Sequence, residues 1–299
     1  MASLRGIAFK TYDGLTLKGT LFPAGEKKPC IIMTAGFGGE RIHFLPDIAG
    51  HFQTAGFTVL LYDNRNLGES EGLPRLEVDP DMQARDYVDA FNYAAALPEV
   101  DLEKIVYWGT SMSGGVVLKA AALNKKIAAV IAQLPFISGE WVALKATQPP
   151  AGLVLERGHA VAVGKPTLIP SLPESAEEVA NGTSKAVLAD PSTIPFMEEI
   201  TRRGYTWERS VTAQSMANCY LFEPLAYIHR IAPTPLFMVV ADNDTVTGTP
   251  IQLEAFEKAR QPKKLRILHG EDHFSPYYGE ALKHNMAAQI EFLRETLHL

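Results

Sequence analysis

The sequence predicts an α/β fold built on a largely parallel sheet, and three observations carry that expectation. Strand-like and helix-like runs alternate over most of the 299 residues, as they do where crossover helices join parallel strands. The alternation breaks once, between Pro135 and about Tyr227, where prolines at 149, 150, 166, 170, 173, 191 and 195 interrupt it. Near mid-chain, residues 106–115 read V-Y-W-G-T-S-M-S-G-G. This is a strand, a sharp turn and a small-residue helix, with one serine at the apex.

Taken in order, residues 6–11 and 15–22, joined at Asp13-Gly14, form a β-hairpin. Residues 29–34 make a short buried strand, and residues 45–55 have helical spacing that stops at Gly56. Residues 57–62 are the next strand. From 80 to 97, Met82, Tyr87, Val88, Ala90, Phe91 and Ala94 recur at helical intervals until Pro98 ends the run. The strand 104–108 then enters the serine turn, and Val116, Val117, Leu118 and Ala122 belong to the helix behind it. Residues 127–134 form a sixth strand, closed by Pro135. Beyond the break, 235–241 and 264–268 are strands seven and eight, separated by a helix at 251–260 and followed by a terminal helix at 281–297. The expected architecture is an eight-stranded, mostly parallel sheet flanked by helices. Residues 1–134 and 228–299 would form its core, and 135–227 a helical lid of short helices joined by turns, inserted between strands six and seven.

A hydrophobic content of 46% can bury a large core, which excludes a disordered or fibrous chain. The net charge of −6 comes with no Lys/Arg cluster, so nothing marks a nucleic-acid or anionic-membrane surface. No apolar run reaches membrane-span length and residues 1–10 lack a secretory pattern, so a cytoplasmic location is expected. Cys30 and Cys219 are too few for a disulfide framework and lack metal-ligand spacing. Cys30, inside the apolar run 29–33, reads as a small buried hydrophobe. The sequon Asn181-Gly182-Thr183 has no meaning without secretion. No cofactor or metal is expected.

The serine turn points to nucleophilic catalysis. A nucleophile elbow forces its serine into a strained conformation that small neighbours permit, and the following helix aims free N–H groups at the same spot. Ser111 is the candidate, with Ser113 standing where the motif's second glycine is expected. A serine hydroxyl is weakly reactive alone and needs a base oriented by a carboxylate. Two later strand ends supply both: 241–247 reads A-D-N-D-T-V-T and 269–276 reads H-G-E-D-H-F-S-P. Asp244, farther from its strand end, is favoured over Asp242, which suits a turn cap. His273, in the loop beyond Gly270, is favoured over His269. The oxyanion hole needs two amides, expected from Met112 and from Phe37 in the loop A-G-F-G-G after strand three. That loop does not suit phosphate, since no Gly-Lys-Ser/Thr follows. In the insertion, Phe136, Trp141, Phe196, Tyr205 and Trp207 are either its own core or a substrate wall. Trp141 and Trp207 are the candidates for substrate contact.

The chain resembles the α/β-hydrolase superfamily in five ordered motifs: A-G-F-G-G at 35–39, Y-D-N-R-N-L-G-E-S-E-G at 62–72, W-G-T-S-M-S-G-G at 108–115, D-N-D-T-V-T at 242–247 and E-D-H-F-S-P-Y at 271–277. The D-N-R-N-x-G-x-S block further resembles a branch that includes fungal polyketide transferases and thiohydrolases of secondary-metabolite clusters. The resemblance implies Ser111 as nucleophile, Asp244 as acid, His273 as base, and Phe37 and Met112 as oxyanion donors. The chain departs from it at Ala35, where relatives often carry histidine, and at Ser113. Asp63 and Arg65 are expected to brace the turn after their strand.

The expected function is a serine hydrolase or acyltransferase acting on an ester or thioester of an apolar, polyketide-derived acyl group, with water or an alcohol as acceptor. Expected partners are that small molecule and, less directly, the acyl-carrier domain of a synthase or a second copy in a homodimer. Two rivals stay open: a carbon–carbon hydrolase or cyclase using the triad as a base, and a ligand-binding receptor with residual turnover. A carboxylate-nucleophile chemistry is disfavoured by serine at the elbow.

Overall fold

The computed structural model describes residues 3–145 and 151–299. Strands β1 (Arg5–Lys10) and β2 (Thr16–Phe22) pair as the antiparallel hairpin. Strand β3 (Lys28–Thr34), helix α1 (Leu45–Thr54), strand β4 (Thr58–Tyr62), helix α2 (Pro80–Ala95), strand β5 (Val100–Thr110), helix α3 (Met112–Leu123) and strand β6 (Ala129–Gln133) follow in strict alternation. After an insertion, the alternation resumes. In sequence order, the insertion holds α4 (Gly139–Lys145), α5 (Ala151–Val163), β7 (Leu168–Pro170), α6 (Ala176–Ala180), α7 (Thr193–Arg202), β8 (Ser210–Thr212) and α8 (Ala213–Leu221), and β9 (Leu236–Ala241), α9 (Thr249–Lys258), β10 (Lys263–Leu268) and α10 (Gly279–Leu297) complete the chain.

The main sheet has eight strands in the order β1-β2-β4-β3-β5-β6-β9-β10. Only the hairpin and the β2–β4 pair are antiparallel; every pairing from β4 to β10 is parallel. Parallel strands covered on both faces read as continuous apolar runs, and every residue of β4, β6 and β9 is buried. The two-residue period of a strand then sorts side chains by layer. Ile31, Met33, Val59, Leu61 and Trp108 pack with α1 and α10. Their neighbours Cys30, Ile32, Leu60, Tyr62 and Tyr107 pack with α2 and α3. The edge strand β10 alternates burial instead, with Lys264 and Arg266 outward, a charge pattern that discourages pairing with another sheet. Cys30 is fully buried, and burial pushes its thiol up to about 12.

Apart from shifts of one or two residues at other element ends, the structure departs from the sequence reading in two places. Strand β5 begins at Val100 rather than 104, because Lys28 pairs with Val100 across a bulge before the register resumes at Cys30 with Ile105. Charged Asp101 and Glu103 mask that extension in the pattern. The insertion is also not wholly helical: β7 and β8 pair antiparallel. Three-residue strands, one of them ending in proline, are too short to leave a period-two signature. Among the described residues, no helix is long and apolar enough to cross a membrane.

Candidate active site

Strand β5 ends at Thr110 and α3 begins at Met112, so Ser111 alone makes the turn, with φ 56° and ψ −123°. That backbone costs a non-glycine residue about 1–3 kcal/mol and persists only where the surroundings over-determine it. Here they do. The Ser111 N–H donates to the Gln133 carbonyl at 2.9 Å, and its own carbonyl accepts from Phe136 N–H at 2.8 Å and Gly115 N–H at 3.2 Å. Close packing adds to this constraint: a Cβ on Gly36 would sit 3.0 Å from Ser111 Cβ, and one on Gly109 would overlap the Ser113 carbonyl. Ser113 has its own task where the motif has glycine. Its hydroxyl donates to the Thr34 carbonyl at 2.9 Å, tying the elbow to the end of β3.

The loops after β9 and β10 bring Asp244 and His273 to this serine. His273 Nε2 lies 2.9 Å from Ser111 Oγ, and His273 Nδ1 lies 2.9 Å from Asp244 Oδ2. A carboxylate can only accept, so Nδ1 carries the ring proton and Nε2 offers a lone pair to the hydroxyl. Asp244 is itself anchored on both oxygens. Oδ1 accepts the N–H groups of Val246 and Thr247, each at 3.0 Å, while Oδ2 accepts the Thr247 hydroxyl at 2.7 Å and the Gln252 amide at 2.9 Å. Burial alone would raise the Asp244 carboxyl, but the His273 ring and the Thr247 hydroxyl and amide outweigh it and hold the group far below the usual carboxylate range. The competing pair sits elsewhere: Asp242 accepts from Gly270 N–H at 2.8 Å and meets His269 Nδ1 at 3.1 Å in exposed loops, and neither lines the cavity at Ser111.

Sequence reasoning did not find Thr247 and Gln252. Thr247 was within reach, since an Asp followed three residues later by Thr is a turn that bonds back on itself. Gln252, fully buried on α9, looks like any surface glutamine in the sequence. A second buried group also escaped notice. The Gln133 amide donates to Thr110 Oγ1 at 3.2 Å, and Gln133 Oε1 accepts from Asn285 at 2.6 Å and Gln289 at 2.9 Å. Gln289 Oε1 in turn accepts the Trp108 indole N–H at 2.7 Å. This chain ties the elbow strand to α10.

Phe37 lies in the loop after β3 and lines the cavity; Met112 is the first residue of α3. Among the described residues, neither amide N–H meets a protein acceptor; for Met112 this is expected of a helix's first turn. The α3 dipole favours negative charge at the same point. Asn64 Nδ2 braces the loop by donating to the Ala35 carbonyl at 3.1 Å. Asp63 and Arg65 stand behind it rather than in the cavity. Asp63 accepts Arg41 N–H at 2.7 Å and Glu69 N–H at 3.1 Å and pairs with the Arg41 guanidinium, while Arg65 Nε reaches Asp86 at 2.7 Å and NH1 reaches Asp13 at 2.9 Å.

The space between atoms at Ser111 totals about 490 Å³ when counted out into open solvent. Phe37, Phe44, Phe196, Trp207, Phe274 and Tyr277 give it an aromatic wall. Trp207 is therefore in the cavity, stacked on His43 with ring centroids 4.1 Å apart. His43 Nε2 donates to the Thr206 carbonyl at 2.7 Å and Nδ1 accepts from Glu40 N–H at 3.3 Å; burial lowers its pKa. Trp141 is not in the cavity wall. Its ring lies against Gly248 and under the Lys145 ammonium.

A sequence model described as the alpha/beta hydrolase fold matches residues 29–280. The chain is 34% identical over 292 residues to polyketide transferase grgF of Penicillium sp, covering 97% of this chain and 96% of the relative. It is 32% identical over 280 residues to a thiohydrolase of Eupenicillium brefeldianum, covering 93% of this chain and 90% of the relative. The crystal structure of the alpha/beta hydrolase GrgF from Penicillium sp. sh18 superposes with a TM-score of 0.88 at 32% identity, covering 100% of both chains.

Proposed function

The chain belongs to the alpha/beta hydrolase family and is an enzyme, and on that premise we propose that it transfers or hydrolyses an acyl group through an acyl-enzyme on Ser111. His273 takes the serine proton as Oγ attacks the ester or thioester carbonyl, and Asp244 stabilises the imidazolium that results. The Phe37 and Met112 amides hold the oxyanion. His273 then returns the proton to the leaving group, and water or an alcohol releases the acyl chain. The observation that carries this reading is the unbroken line Asp244–His273–Ser111, with both links at 2.9 Å, beginning at a serine in a strained turn.

The aromatic wall supports an apolar acyl group, and Leu188, Phe196 and Trp207 bring the insertion into that wall. Residues 135–227 accordingly act as a lid over a core of 1–134 and 228–299. The relatives named polyketide transferase and thiohydrolase support a polyketide-derived acyl group; a place in secondary-metabolite biosynthesis and delivery by a synthase carrier domain belong to the same proposal. A sulfonyl fluoride tests the nucleophile. Intact-mass spectrometry should show one adduct, mapped by peptide analysis to Ser111 and absent from Ser111→Ala; an unmodified wild-type protein, or an adduct elsewhere, would sink the acyl-enzyme mechanism.

A further inference from the structure

The wall of the Ser111 cavity carries more polar side chains than the triad, and most are already paired inside the protein. Thr110 Oγ1 meets the Tyr277 hydroxyl at 2.6 Å and the Gln133 amide at 3.2 Å. Both nitrogens of His43 are taken by backbone groups. Among the described residues, two cavity-lining side chains have polar groups without a protein partner. One is the buried indole N–H of Trp207. The other is the Glu40 carboxylate, which has neither a hydrogen-bond donor nor a paired cation; burial and the charge of Asp63 raise its pKa above the ordinary value.

Buried polar groups are seldom left unanswered in folded proteins, and a few placed polar groups in an apolar pocket are what usually orient a ligand. Resting on the acyl-enzyme reading above, we propose that Trp207 and Glu40 are specificity-determining residues that select an oxygenated, uncharged acyl group. The indole N–H donates to an oxygen of the acyl chain. Glu40 accepts from a hydroxyl on that chain and repels an acyl group that carries a carboxylate of its own. Both are held in place before substrate arrives: Trp207 by its stack on His43, and Glu40 by its backbone N–H on the same imidazole. A plain alkyl chain would fill the aromatic wall, leave the buried indole N–H unanswered and offer the half-buried Glu40 carboxylate no partner but solvent, and a site built to hydrogen-bond discriminates strongly against analogues that cannot.

The test uses N-acetylcysteamine thioesters of hexanoate, of hydroxyhexanoates differing in hydroxyl position, and of adipate. Wild-type protein should favour the best hydroxyhexanoyl thioester over hexanoyl by about tenfold or more in kcat/KM and should turn over the adipoyl thioester most slowly. Trp207→Phe, which keeps the stack but loses the N–H, and Glu40→Gln should each shrink the hydroxyl preference. Glu40→Gln should also narrow the adipoyl deficit, a change that a merely structural role would not produce. A wild-type enzyme indifferent to the hydroxyl, or ratios unchanged in both variants, overturns the proposal while leaving the acyl-enzyme reading standing. A wild-type enzyme that turns over none of these thioesters overturns that reading, and this proposal with it.

Discussion

At the scale of single residues, the proposed triad rests on groups outside it. In the proposed mechanism Asp244 orients His273, and four donors besides the imidazole fix its two oxygens, the shortest being the Thr247 hydroxyl at 2.7 Å. A hydrogen bond to a charged group contributes about 1.5–3 kcal/mol. If part of that is lost in the transition state, Thr247→Val should lower kcat on the order of tenfold with little change in KM, and Thr247→Ser should restore most of it. Steady-state kinetics on one thioester would check this; a Thr247→Val enzyme with unchanged kcat would mean that the backbone amides and Gln252 alone hold the carboxylate. Ser111, Asp244 and His273 stood out in the sequence because each follows a strand and the order is constrained. Thr247 and Gln252 were harder to see because their chemistry depends on a buried approach that spacing does not encode.

At the scale of elements, the eight strands of the main sheet were legible because burial on two faces writes long apolar runs. The β7–β8 pair and the start of β5 were not, the first for shortness and the second for its charges. The insertion shows the same limit in its side chains: Trp141 and Trp207 look alike in sequence, yet only Trp207 lines the cavity. Their truncations should therefore diverge. Trp207→Ala removes aromatic wall and should reduce the preference for long over acetyl esters several-fold, at about 25 cal/mol per Å² of lost apolar contact. Trp141→Ala should leave that preference intact and instead lower Tm by about 3–6 °C, because a half-buried ring packed on Gly248 is lost. Equal loss of selectivity in both would mean that the cavity reaches farther under α4 than its wall indicates.

At the scale of the whole molecule, a parallel sheet delivers three loops from the ends of β5, β9 and β10 to one point, and the charge placed there couples the site to the stability of the fold. The Asp244 carboxyl is held below its ordinary value, so the folded state binds a proton at this site less readily than the unfolded chain does. Its contribution is fully present above the unfolded value of about 4 and is lost as pH falls through that value toward the depressed one. Asp13, lowered to about 2 chiefly by its hydrogen bond to Arg65, acts in the same direction, but more weakly, because it is partly exposed and screened. Comparing wild type with Asp244→Asn isolates the first group, since every other carboxylate titrates in both proteins. The urea midpoint of the wild type should fall more steeply between about pH 5 and pH 3 than that of the variant, even though the variant starts lower at neutral pH. Parallel slopes would show that Asp244 titrates alike in the folded and unfolded chains, and that the buried carboxylate is not held ionised by the groups around it.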